Sequence, residues 1–290
     1  MKKFNGFKKL LGLAAVASMC LGFQQANAYE LETEGTLTVA FTGDMPGSGW
    51  QDGKMIGYDG EIMQLIAEKL GLKVKPALME WSGTIASVQS GRVDAMLGTM
   101  GWTEQRTKIM TLSEPIHYFK NGIMQSEKTN WDSLSDLEGK KVGTITGFSF
   151  VPELRRIKGL ELSLYDTSDA AVRDLLAGRI DVVVGDPPVV SYAIKKNPQW
   201  KMHFTAFKDQ NADFPLLTGM GQVVFGINKK NDDLRKAMDA IILDMWKSCS
   251  MREIGMKYGL SADVWYSASG DNLRAGVDRP KDYKLPECKS

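Results

Sequence analysis

Two charged side chains in this chain stand where a small zwitterion could be held at both ends. Arg106 closes the segment Thr103-Glu104-Gln105-Arg106, just past Gly98-Thr99-Met100-Gly101-Trp102. A guanidinium presents its donors as a planar fork that fits a carboxylate, and Gly98 and Gly101 leave backbone N–H groups approachable. Asp186 follows the apolar run Val182-Val183-Val184-Gly185, with Pro187 and Pro188 behind it. A carboxylate there can hold an ammonium group. It can equally cap the next helix, just as Arg106 can be a surface residue at a helix start. Trp81 and Trp102, in loops after strands, can wall a pocket or can simply be packed. Phe148, in Thr146-Gly147-Phe148-Ser149-Phe150, is the corresponding aromatic of the second half.

The elements that must position these groups come in two similar sets. Gly-Arg-aliphatic-Asp occurs at Gly91-Arg92-Val93-Asp94 and at Gly178-Arg179-Ile180-Asp181, the aspartates 87 positions apart. Each copy follows an amphipathic helix pattern and leads into a short apolar run that ends in glycine. Strand patterns at 37–41, 72–78 and 94–97 alternate with helix patterns around Ile62–Leu70 and Ile85–Val88. The alternation restarts at Val142–Ile145 and continues through Tyr165, the helix around Val172–Leu176 and the strand 181–184. One further strand, 222–228, and a long helix, 234–246, follow. This predicts an α/β chain of two lobes, each a mostly parallel sheet flanked by helices. The expected division is 1–28 leader, 29–120 first lobe, 121–219 inserted second lobe, 220–266 return to the first lobe, and 267–290 a tail with little regular structure. Two crossings make a hinge, and ligands of open α/β sheets sit outside the carboxyl ends of the strands.

Lys2, Lys3, Lys8 and Lys9, the apolar stretch Leu10–Phe23 and Ala26-Asn27-Ala28 read as a secretory signal cleaved after Ala28, so the protein is expected to be exported. The remainder carries 32 basic and 35 acidic residues, a formal −3, with no basic stripe for nucleic acid. No other run approaches the length of a membrane span, so the exported chain is expected to be soluble. Cys249 and Cys288 are a possible disulfide in an oxidising compartment, or two free thiols. His117 and His203 are the only histidines, and neither sits at metal-ligand spacing. G-x-S-x-G, P-loop and dinucleotide fingerprints are absent from the sequence. No catalytic residue, metal or cofactor is therefore expected.

With these residues in view, the chain resembles the polar-amino-acid branch of the periplasmic solute-binding proteins, the exported receptors of ABC importers. The likeness runs from about Leu37 to Tyr258. It rests on Gly57-Tyr58-Asp59-Gly60-Glu61-Ile62, Glu80-Trp81-Ser82-Gly83, Thr103-Glu104-Gln105-Arg106, Leu112-Ser113-Glu114-Pro115, Leu137-Glu138-Gly139-Lys140-Lys141-Val142-Gly143 and both Gly-Arg motifs, in order. The resemblance implies a two-lobed flytrap of the type II periplasmic-binding-protein order. It also implies Arg106 as the carboxylate anchor, Asp186 as the partner of the α-ammonium, and Trp81 against the ligand side chain. Gly98, Thr99 and Gly101 would supply hydrogen bonds from one lobe, and Phe148 and Ser149 would line the other. Asp44, in the loop after the first strand, joins the binding set. The implied partners are an amino acid or related zwitterion and an inner-membrane permease, with the receptor a monomer. Gly101 and Phe148 depart from the hydroxyl residues usual at those places, the loop 43–50 lacks the usual aromatic-Pro-Phe, and the tail exceeds the family's length. A site so altered points to an apolar or modified amino acid, or a quaternary amine held by cation–π contact. Two rivals share the scaffold: a periplasmic cyclohexadienyl or arogenate dehydratase with Asp44 or His117 as general acid, and a ligand-presenting sensor.

Overall fold

The structure, a computed structural model, describes residues 29–208, 210–268 and 272–288. The leader 1–28, with its cleavage site, lies outside the described residues.

The strand Thr36–Phe41 is buried along nearly its whole length, and it pairs in parallel with Lys73–Leu78 on one side and Ala95–Met96 on the other. The helices Tyr58–Lys69 and Trp81–Ser90 make the crossovers. The second of these ends at Gly91, which takes the left-handed conformation (φ 76°) that releases the chain from the helix. Three residues later the aspartate of the repeated motif does a backbone task. Asp94 donates its N–H to Thr38 O at 3.0 Å and accepts the Thr38 N–H on its carboxylate at 2.8 Å. In the second copy Asp181 does the same with Lys141, at 2.7 and 2.8 Å. The glycine ends the helix, and the aspartate pins the incoming strand to its neighbour.

Both sheets have five strands in one order. In the first it is Lys73–Leu78, Thr36–Phe41, Ala95–Met96, Gly226–Ile227, Thr111–Leu112. In the second it is Glu161–Tyr165, Lys141–Ile145, Val182–Gly185, Gly122–Ser126, Met202–Ala206. The first three strands of each are parallel and the fourth runs antiparallel. The inserted fourth strand is in each case the one that follows a crossing between lobes, Gly226–Ile227 late in the chain and Gly122–Ser126 ahead of the rest of its sheet, which is the two-lobed type II order. The lobes are joined where His117–Lys120 pairs antiparallel with Met220–Val223.

The single strand expected over 222–228 is divided. Met220–Val223 belongs to the interlobe ribbon and Gly226–Ile227 to the first sheet, with Phe225 N–H turned to Ser113 Oγ at 2.8 Å. The helix expected over 234–246 spans Asp232–Lys247. The tail has little regular structure but is firmly held: Arg274 is wholly buried, and Cys288 is bonded to Cys249 with their Cα atoms 5.2 Å apart. One apolar cluster draws on both lobes, Trp81, Met96 and Met100 meeting Ile145, Val172 and Val183. Among the described residues no helix is long and apolar enough to cross a membrane.

Candidate ligand-binding site

Arg106 is set by a four-residue helix, Glu104–Thr107, whose N-cap Thr103 accepts the Arg106 N–H on its hydroxyl at 3.1 Å. The side chain turns back, donates from Nη1 to Gly101 O at 2.6 Å, and lies over the Trp81 ring at 5.4 Å. It is 8% exposed, so the surface reading does not hold. Burial lowers its pKa to about 10 and the nearby Asp186 carboxylate opposes that shift, so it stays cationic at neutral pH.

Asp186 is the N-cap of the helix Pro187–Lys196, yet its side chain makes no capping bond. The prolines explain this. They occupy the first two helical positions, and Pro188 removes one of the two N–H groups, N2 and N3, that a capping carboxylate meets. The carboxylate faces the cavity instead. Burial raises its pKa to about 7, Arg106 pulls it down, and Asp44 and Asp59 push it up.

Trp81 opens its helix on the first lobe and meets the second. Its Nε1 donates to Gly147 O at 3.4 Å, and its ring stands edge to face with Phe148, centroids 6.1 Å apart. Thr99 has positive φ (53°) and gives its N–H to Asp59 Oδ2 at 2.6 Å. Asp59 sits in the first turn of Tyr58–Lys69, and burial raises its pKa to about 7. The other oxygen of Asp59 has no hydrogen-bond partner, and His117 Nε2 stands 3.9 Å from it. Burial drops His117 to about 4, leaving it neutral.

Two communicating chambers result. The larger, about 360 Å³, takes Asp44, Trp81, Gly98 and Thr99 from the first lobe and Phe148 and Asp186 from the second. The smaller, about 20 Å³, adds Gly101, Arg106 and Ser149 and is bounded again by Trp81, Thr99, Phe148 and Asp186. The candidate residues thus come together. Trp102 does not. It lines neither chamber, and its indole N–H points to Asp278 at 3.1 Å. His117, 1% exposed, is packed between Tyr58 and Trp265 rather than at the cavity.

Sequence reasoning missed the acidic character of the larger chamber. Glu80, Asp166 and Asp169 join Asp44 and Asp186 there, against one cation, Lys196. Asp44 is raised by burial, with Asp169 and Glu80 adding repulsion. Asp166 lies just past Glu161–Tyr165, the same strand-end position as Asp186, and the strand-end rule would have found it. Tyr192 and Trp200, which also line the larger chamber, carry no comparable signal. Among the described residues no group of three or more His, Cys, Asp or Glu could hold a metal ion.

Fold and site together define a two-lobed binding-protein scaffold for small solutes. The chain belongs to the bacterial extracellular solute-binding proteins, family 3, which it matches over residues 37–261. It is 29% identical to the L-cystine-binding protein TcyJ of Escherichia coli (strain K12) over 272 residues, 89% of this chain and 97% of that one. It is 25% identical to the probable amino-acid-binding protein YxeM of Bacillus subtilis (strain 168) over 263 residues, 89% and 95% of the two chains. Among solved structures it is similar to an ancestral arginine-binding protein bound to glutamine, with a TM-score of 0.69 and 27% identity over 79% of this chain and 99% of that one.

Proposed function

We propose that this protein is the periplasmic receptor of an ABC importer for an amino acid with a cationic side chain. The supporting observation is that Arg106 and Asp186, carried by different lobes, bound the same small chamber, while the larger chamber beside it is acidic. Arg106 takes the α-carboxylate, and Asp186 takes the α-ammonium. Four carboxylates, Asp44, Glu80, Asp166 and Asp169, then remain against Lys196 for the side chain. A distal positive charge answers that surplus. A neutral side chain leaves it unpaired, and an acidic one adds to it. Trp81 and Phe148 give the ligand apolar walls, and Gly98, Thr99, Gly101 and Ser149 give it polar edges. The acidic lining disfavours the apolar ligand considered from sequence and favours a cation.

The lobes, 29–120 with 220–266 and 121–219, close about the ribbon His117–Lys120 and Met220–Val223. Only the closed form places both charged groups on one ligand, so binding shifts the population toward it. Each charge-assisted hydrogen bond contributes about 1.5–3 kcal/mol net, which with aromatic burial supports micromolar binding, about −8 kcal/mol. The closed monomer then docks on an inner-membrane permease. Of the two acids open to the dehydratase alternative, His117 is packed away from the cavity and Asp44 lines it; the protein is proposed to bind its ligand without turnover.

The test is calorimetry with L-arginine, L-lysine, L-histidine, L-leucine and L-glutamate on the purified protein. A cationic amino acid should bind at least tenfold more tightly than leucine, and glutamate should not bind. Preference for leucine or glutamate would overturn the reading.

A further inference from the structure

Trp102 is the aromatic that the cavity does not use. It is 9% exposed, and its indole N–H donates to Asp278 Oδ2 at 3.1 Å, across 176 residues of sequence. The partner segment lies beyond residues 37–261, the part of the chain that matches the family. It is held more closely than a chain end requires. Arg274, 0% exposed, donates to Ser113 O at 2.8 Å and grips the Asp278 carboxylate through Nε and Nη2 at 3.1 and 2.7 Å. Arg279 pairs with Glu114 at 2.7 Å, and the disulfide at Cys288 closes the segment onto the body. The oxygen that meets Trp102 is therefore fixed from the tail side.

The other side of the contact leads to the ligand site. Trp102 adjoins Gly101, whose carbonyl accepts Arg106 Nη1 at 2.6 Å, and the Trp102 N–H is bonded to Gln222 O at 2.7 Å. The Gly101 carbonyl and the Trp102 N–H belong to one peptide, held by Gln222, and the indole bonded to Asp278 gives the same residue a second hold. The carboxylate that receives the indole N–H is contacted by Arg274 and also by Arg279, at 3.5 Å.

We propose that the Trp102–Asp278 contact is a latch through which the C-terminal segment positions Arg106, which makes Asp278 a positioning residue of the ligand site. The step from positioning to affinity rests on Arg106 being the carboxylate anchor. The first step, that the tail orders the segment 98–106, does not.

The experiment separates the two. Backbone hydrogen exchange is followed by mass spectrometry on the full chain, in wild type, Trp102→Phe, Asp278→Ala and the double variant. Trp102→Phe keeps the ring and removes only the donor. Amides of 98–106 should exchange about fivefold faster in either single variant, the lower end of ordinary coupling between sites, while amides of the second-lobe strand 141–145 stay unchanged. The double variant should be no faster than Asp278→Ala, because both changes remove one interaction. Titration with L-arginine should then give a dissociation constant about fivefold higher for Trp102→Phe. Wild-type exchange in Trp102→Phe, or additive effects in the double variant, would overturn the latch. Faster exchange with unaltered L-arginine affinity would overturn the positioning of Arg106. If wild type does not bind L-arginine, the ligand reading fails and the exchange result still judges the latch. If Asp278→Ala does not fold, Trp102→Phe decides by itself.

Discussion

Arg106 and Asp186 bound one small chamber from opposite lobes without closing into an ion pair with each other. Each perturbs the other's ionisation, and each is more strongly perturbed by burial. Opposite charges held apart in a partly desolvated space leave room for a zwitterion to complete both pairs.

Replacing Arg106 by alanine should abolish ligand-dependent stabilisation. At a ligand level near one hundred dissociation constants, wild type should gain about 2.7 kcal/mol. Differential scanning fluorimetry with and without L-arginine checks this, and a wild-type shift in the variant would remove Arg106 from the anchoring role. Arg106→Lys should recover only part of the shift, since an ammonium lacks the planar fork.

The pH dependence follows from Asp186. Its pKa in the folded protein is raised to about 7 from an ordinary 3.8, chiefly by burial. A carboxyl raised in this way favours the unliganded fold at low pH, and that contribution is lost as pH rises through about 7. Ligand binding runs the opposite way, because the ammonium needs the ionised form. Affinity for L-arginine should fall about tenfold between pH 8 and pH 6, with proton uptake by Asp186 as the cause. In Asp186→Asn the affinity should be lower and nearly flat across that range. A wild-type pH slope in the variant would assign the proton to another group.

Gly57 offers a test of the scaffold under the site. It has φ 86°, and a Cβ there would stand 2.5 Å from Gly47 O. Gly57→Ala should cost about 1–3 kcal/mol in urea unfolding. It should also weaken ligand binding, because the clash falls on the loop that begins at Asp44.

The disulfide should matter for stability in its own right. Cys249 and Cys288 are separated by 39 residues, and a loop of that size is worth about 4 kcal/mol in the chain-entropy view. Removing both cysteines as serine should lower the unfolding free energy by that order. A change below about 1 kcal/mol would mean that the arginine clamps alone hold the tail.

Much of this architecture can be read from residues close together in the chain. The repeated glycine and aspartate of Gly91–Asp94 and Gly178–Asp181 carry their own explanation, a left-handed stop followed by a strand pin. Asp186 with Pro187 and Pro188 is similarly local, since the prolines that start the helix also withhold one of the N–H groups that could have claimed its carboxylate. What stayed hidden depends on distant partners. Trp102 reads like Trp81, an aromatic after a strand, and only the position of Asp278 separates their roles. The strand expected over 222–228 has an unbroken apolar middle, Val223–Ile227, and its division is imposed by pairing with His117–Lys120 on one side and Ala95–Met96 on the other. Glu80, Asp166 and Asp169 are scattered surface-like acids until the lobes bring them to one cavity.

The carboxylates around the larger chamber act before any contact is made. Asp44, Glu80, Asp166 and Asp169 line a recess whose walls are protein on both sides, and such walls concentrate the field outward through the opening. On the proposed reading, cations would be drawn in faster than diffusion alone brings them, and anions would be turned away at a distance. Such discrimination is a property of arrival rates, so it fades as salt shortens the reach of the field. In dilute surroundings the receptor would sort solutes by charge first and by shape second, and in concentrated salt that order would reverse.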